Sequence, residues 1–273
     1  MSETNGTSHN GNKGHKAVKK PHKRLPTRKE RERRALLLSF LAGGTTVGLS
    51  LLGYVPIMTA SELRLRPPGA LDEREFLASC IKCGQCVQVC PVEAIKLADI
   101  TDGFGIGVPF LDARKQACDF SCDAVQCVLA CPTGSLSHDI DKKEQVRMGF
   151  ARLDKPELCL ARQGKGFKGL ARGAQFDGLH RYEKVDRWNP IKIADYKYDL
   201  PLCDLCVREC PIKEAIILEP MSKDPDDRRR TPKVLEACVG CGMCEMICPV
   251  EPAAIVIDER QTYQTARQGG LAS

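Results

Sequence analysis

The spacing of sixteen cysteines limits what this 273-residue chain can fold into more than any other feature. One run reads Cys80-x2-Cys83-x2-Cys86-x3-Cys90-Pro91, and Cys238-x2-Cys241-x2-Cys244-x3-Cys248-Pro249 repeats it to the residue. Cys118-x3-Cys122-x4-Cys127-x3-Cys131-Pro132 is a looser variant, while Cys203-x2-Cys206-x3-Cys210-Pro211 has three members with a lone Cys159 upstream. Four thiols crowded together and closed by Cys-Pro form the pattern of a bacterial ferredoxin. In that pattern the first three thiolates wrap one 4Fe-4S cubane, and the fourth, expected at the start of a short helix, reaches across to a second. Two-residue gaps turn the backbone around one cluster so that its amides face the sulfurs, and proline ends the loop by fixing φ.

If each Cys-Pro cysteine serves the neighbouring cluster, the chain divides into four ligand sets. They are Cys80, Cys83, Cys86 with Cys131; Cys118, Cys122, Cys127 with Cys90; Cys238, Cys241, Cys244 with Cys210; and Cys159, Cys203, Cys206 with Cys248. Each cysteine is used once, which implies four 4Fe-4S clusters. The long gap after Cys159 is no obstacle, because loop closure costs only about 0.6 kcal/mol per doubling of length. Zinc sites also use C-x2-C pairs, but they usually separate two pairs by a dozen or more residues. A disulfide scaffold gives no reason for the Cys-Pro endings, and C-x2-C-x2-C places adjacent thiols poorly for several unstrained bridges.

Composition agrees. Aromatic residues are only 5% of the chain, so a core of large side chains is thin for this length and metal centres are expected to help hold the fold. The net charge of +6 suggests nucleic acid until it is mapped along the sequence. Residues 1–34 carry eleven Lys or Arg against three Glu, and the remainder is slightly acidic, with 30 basic and 32 acidic residues. No basic stripe with interleaved aromatics crosses the cysteine-rich part, so no nucleic-acid partner is expected.

Residues 1–34 read as a disordered basic leader. It ends at Arg33-Arg34, after which residues 35–58 are uncharged but contain Gly43, Gly44, Gly48 and Gly53. A charged region, paired arginines and a moderately apolar segment at 35–60 form the pattern of a twin-arginine export signal. Alternatively, Arg33 and Arg34 flank a membrane-crossing helix, for which 24 uncharged residues suffice. Export by the twin-arginine route would suit cluster chemistry. Clusters must be inserted in the reducing cytoplasm, before thiols oxidise, so the protein would cross to the periplasm already folded. Met58-Thr59-Ala60 is a poor cleavage site, which leaves an uncleaved inner-membrane anchor open.

The expected fold class is α+β, with two tandem bacterial-ferredoxin-like dicluster units at 72–150 and 151–262 and a tail at 263–273. The segments after Pro91, Pro211 and Pro249 read as a helical turn passing into a short strand, a βαβ-like repetition. An insert at 160–202 interrupts the second unit. It holds Phe167, Phe176, Tyr182, Trp188, Tyr196 and Tyr198 and a net charge of about +4. It reads either as a flexible, partner-binding loop or as an insertion packing its aromatics over a cluster. Gly164-x-Gly166-x-x-Gly169 matches a dinucleotide fingerprint, but no apolar strand precedes it and nothing after it opens a firm helix. His138 and His180 have no neighbours arranged for catalysis and read as structural.

Arg66-Pro67-Pro68-Gly69-Ala70, the run from Phe76 to Cys86, the Cys127 to Gly134 segment and Cys238-Val239-Gly240-Cys241-Gly242 resemble the NapG/MauM ferredoxin-type family. The resemblance runs from the arginine pair to about residue 258 and implies an exported quinol dehydrogenase component associated with periplasmic nitrate reduction or methylamine oxidation. It implies as partners a membrane quinol-oxidising subunit, NapH-like or MauN-like, and a soluble periplasmic redox acceptor. A cysteine upstream of the third triplet completes that set in the family, which supports Cys159. The three-residue first gap of the second set and the long insert depart from the family pattern. The rival reading is an iron–sulfur subunit of a multi-subunit oxidoreductase in which one cluster or a partner-bound cofactor is catalytic. A catalytic cluster usually leaves one iron without a cysteine, and sixteen ligands for sixteen irons argue against it.

Overall fold

The computed structural model describes residues 27–59, 63–102, 105–122, 124–172, 179–180, 191–192, 197–259 and 263–268. The chain forms two compact units, 1–55 and 56–273.

The first unit is built on helix α1 (Arg28–Thr59), which continues past the unit boundary. The disorder expected of residues 1–34 does not hold from Arg28 onward. Thr27 N–H donates to Glu30 at 2.8 Å and Arg28 pairs with Glu32 one turn later at 3.0 Å, which gives the charged start of the helix local support. No described helix is long and apolar enough to cross a membrane. The glycines, Ser39, Thr45 and Thr46 dilute the apolar run, and these hydroxyls bond back to carbonyls of the preceding turn.

In the second unit every helix is short. They are α2 (Glu73–Ser79), α3 (Gln85–Gln88), α4 (Gln126–Leu129), α5 (Leu205–Arg208), α6 (Met243–Ile247) and α7 (Tyr263–Gln268). The strands are β1 (Ile95–Leu97), β2 (Pro109–Leu111), β3 (Gly149–Leu153), β4 (Phe167–Leu170), β5 (Leu179–His180), β6 (Ile191–Lys192), β7 (Lys197–Leu200), β8 (Ile216–Pro220), β9 (Arg230–Val234) and β10 (Ile255–Glu259). They form antiparallel two-stranded ladders: β1–β2, β3–β10, β4–β7, β5–β6 and β8–β9. The α+β class therefore holds, with antiparallel pairs in place of βαβ-like units.

The strands expected after Pro91, Pro211 and Pro249 form as β1, β8 and β10, but the helical turns lie before each Cys-Pro. Proline disfavours α geometry in the residue before it and lacks an N–H, so it stops a helix already under way. The insert is not a plain loop. Residues 167–170 and 197–200 pair as antiparallel strands, with Tyr198 buried and its hydroxyl 3.2 Å from the Glu209 carboxylate. Phe176, Tyr182, Trp188 and Tyr196 lie outside the described residues.

One continuous hydrophobic core runs through both cysteine-rich halves. Phe76, Val128 and Leu136 from the first join Phe150, Met243, Met246 and Ile247 from the second. Burying each large side chain contributes about 1.5–3 kcal/mol. Strand β10 pairs Ile255 with Leu153 and Ile257 with Ala151, which ties the start of the second half to its end.

Candidate metal centres

Each of α3 to α6 carries one thiol on its single turn: Cys86, Cys127, Cys206 and Cys244. The preceding loop must bend sharply to bring its other thiols alongside. In the first run Lys82 and Gly84 take left-handed conformations at φ 58° and 75°, and Gly240 and Gly242 do so at the matching places in the last run, at 71° and 89°. The second run does the same with Phe120, Ala124 and Val125. Gly240 is further constrained, because a Cβ there would stand 2.3 Å from the backbone of Gly149. The loop thus packs directly on β3, and only glycine fits both the space and the backbone angle.

The thiols fall into four groups. Cys86 interacts electrostatically with Cys80, Cys83 and Cys131. Cys122 interacts with Cys90, Cys127 with Cys122 and Cys90, and Cys118 with Cys122 and Cys127. Cys241 and Cys244 face Cys238 and Cys210. Cys206 faces Cys203, Cys159 and Cys248. We call these the first, second, third and fourth centres. The third centre surrounds an apolar pocket lined by Cys210, Cys238, Cys241 and Cys244 together with Ala151, Ile212, Met243 and Ile257. The fourth surrounds another, lined by Cys159, Cys203, Cys206 and Cys248 with Leu153, Leu205, Pro232 and Ile255.

None of the sixteen cysteines is in a disulfide. Among the described residues, no three His, Cys, Asp or Glu side chains converge as closely as a single metal ion requires. A tetrahedral zinc with Zn–S bonds of about 2.3 Å needs sulfurs about 3.8 Å apart. Four thiols spaced more widely than that around an apolar pocket instead suit a larger inorganic core whose irons each take one sulfur.

The electrostatics fit such a core. Burial pushes the Cys86 thiol up to about 11 from an ordinary 9.0, helped by Cys80. Burial with Cys159 and Cys248 nearby pushes Cys203 up to about 12. Cys118, Cys206 and Cys244 are raised well above their ordinary value, with burial again the largest cause and neighbouring thiols adding to it. Crowded, desolvated thiolates are unfavourable unless cations share their charge. Backbone amides also take part. Ala94 N–H donates to Cys90 Sγ at 3.3 Å and Ala254 N–H to Cys248 Sγ at 3.4 Å. Cys131 is lowered: burial raises it, but hydrogen bonds from the amides of Leu136, Thr133 and Ser135 and from the Thr133 hydroxyl outweigh that.

Residues far from the cysteine runs in sequence position them. Arg114 donates to the carbonyls of Glu245, Cys248 and Val250 at 2.5, 3.0 and 2.8 Å and pairs with Glu251, so it holds the turn that presents Cys248. More than 130 residues separate these partners, and no local pattern announces them. Buried Arg66 donates to Glu73 and to the Pro109 carbonyl and lies over the Phe76 ring, so the Arg66-Pro67-Pro68 motif anchors α2. Exposed His138 contacts the Cys131 carbonyl at 3.0 Å, and His180 lies in β5. Gly166 and Gly169 flank and enter strand β4 where a dinucleotide fingerprint would open a helix. Arg33 and Arg34 lie on α1, in the other unit.

Residues 79–135 match a 4Fe-4S dicluster domain and residues 235–251 a 4Fe-4S binding domain. The ferredoxin-type protein NapG of Escherichia coli is 36% identical over 79% of this chain and 80% of its own length. The methylamine utilization ferredoxin-type proteins MauM of Methylorubrum extorquens and Methylobacillus flagellatus are 34% and 32% identical. They align over 85% and 92% of this chain and 91% and 90% of their own lengths. No solved structure matches the chain. With thiol groups suited to iron–sulfur clusters and relatives of this similarity over most of its length, the chain belongs to the NapG and MauM family of ferredoxin-type, iron–sulfur electron-transfer proteins.

Proposed function

We propose that this chain holds four 4Fe-4S clusters and relays single electrons in the periplasm, from a membrane quinol-oxidising partner of the NapH or MauN kind to a soluble redox enzyme. The carrying observation is that thiols from different runs lie near one another, Cys86 with Cys131 and Cys127 with Cys90, and that two apolar pockets are each lined by four cysteines. Cys80, Cys83, Cys86 and Cys131 would hold the first cluster, and Cys118, Cys122, Cys127 and Cys90 the second. Cys238, Cys241, Cys244 and Cys210 would hold the third, and Cys159, Cys203, Cys206 and Cys248 the fourth. A bound 4Fe-4S cluster supplies reversible one-electron chemistry at a potential within about −700 to +450 mV. The chain's part is to exclude water with Leu205, Met243 and Ile257, to stabilise the thiolates with amides such as those of Ala94 and Ala254, and to fix their spacing.

Four cysteines per centre leave no iron free for a substrate, which favours a carrier over a catalyst. The decisive experiment adds quinol anaerobically to the cluster-loaded protein, with and without membranes containing the quinol-oxidising partner. Bleaching of the visible absorption that depends on the partner, reversed by the soluble acceptor, is expected. Clusters that quinol cannot reduce through the partner would contradict the proposal.

A further inference from the structure

The two halves of the cysteine-rich unit meet along a seam formed by residues 113–118 and 241–251. Its centre is a hydrogen bond from the Cys118 amide to the Cys241 carbonyl, at 3.1 Å. Cys118 belongs to the second centre and Cys241 to the third. Their sulfurs are therefore joined by nothing more than the covalent bonds of these two residues and one hydrogen bond. Beside it, the Ala117 amide stands 3.2 Å from Met246 Sδ. Gly242 packs so closely that a Cβ there would meet the Ala113 Cβ at 2.7 Å and the Ala117 Cβ at 3.3 Å. Ala117 is fully buried at this contact.

Within each half the centres are also adjacent. Helix α3 packs on α4 and α5 on α6, and Cys86 interacts with Cys127 and Cys206 with Cys244. At one end of this series, Cys83 is the single exposed thiol of the sixteen, with Ile81 beside it 63% exposed.

We propose that the four centres form one unbranched relay in the order first, second, third, fourth, with the Cys118–Cys241 hydrogen bond as the junction between its halves. This rests on the electron-carrier reading and deepens it. One electron received from the donor at one end is matched by one electron passed to the acceptor at the other, which leaves the chain in its starting state. The donor and acceptor are the quinol-oxidising partner and the soluble redox enzyme; a quinol supplies two electrons in two passes and loses its protons at the partner. Ala113, Ala117, Gly242 and Met246 are positioning residues that keep the seam closed.

The test is magnetic. The full-length, cluster-loaded protein is reduced completely under anaerobic conditions and its spin–spin interactions are measured by pulsed electron paramagnetic resonance. The relay predicts interaction between the second and third centres in addition to that within each pair. Ala113→Leu, which wedges the seam without touching a ligand, is expected to keep the iron content and the within-pair interactions but to lose the one across the seam. Iron-loaded wild-type protein that shows two magnetically isolated pairs would overturn the relay and leave the carrier reading standing. Protein unable to hold clusters would overturn both. Because the wild-type spectrum alone decides between these outcomes, the test survives a variant that does not fold.

Discussion

Cys159 lies outside any cysteine run, 8% exposed and near the thiols of Cys203 and Cys248. Replacing it with serine is expected to lower the iron content by one cluster, about four irons. An anaerobic iron assay reads this directly, and unchanged iron would mean that the fourth centre takes its last ligand elsewhere. Gly240 and Gly134 separate conformational from steric demands, since both are left-handed but only Gly240 lies against backbone. Gly134→Ala is expected to cost about 1–2 kcal/mol, the penalty of left-handed backbone alone. Gly240→Ala should cost clearly more and weaken the third centre, because the added methyl collides with Gly149. Denaturant unfolding of the two variants checks the difference; equal losses would refute the close approach of loop and strand.

At the scale of elements, the strands after Cys-Pro were legible from their apolar alternation, but the helical turns were expected on the wrong side of the proline. The reason is local. In the first, second and fourth runs the third cysteine lies on a turn that begins at a left-handed residue and ends before Cys-Pro, and spacing alone does not reveal where that turn starts. Strands β4 and β7 were hidden because Phe167–Leu170 and Lys197–Leu200 hold few β-branched residues and pair across a long separation. Arg33 and Arg34 are exposed near the start of helix α1, and the twin-arginine reading of them makes a prediction. Replacing both with lysine is expected to retain the protein in the cytoplasm. Cell fractionation measures this, and undiminished export would remove the twin-arginine reading.

For the molecule as a whole, the iron–sulfur character was legible because ligand spacing is dictated by cluster geometry and not by the surrounding fold. The seam, Arg114 and the Arg66 anchor were not legible, since they depend on contacts between residues far apart in sequence. The raised thiols carry a consequence for assembly. With Cys86 held up to about 11 and Cys203 up to about 12, the iron-free thiols keep their protons at neutral pH. Loading must expel those protons, so iron affinity is expected to rise with pH toward these values, and anaerobic reconstitution in weak buffer should acidify the solution. Loading without proton release would contradict the thiolate chemistry. The most direct measurement is the iron and acid-labile sulfide content of protein purified without oxygen. Four cubanes predict a brown protein with about sixteen irons and sixteen sulfides per chain; a colourless protein, or one with far less iron, would contradict the account.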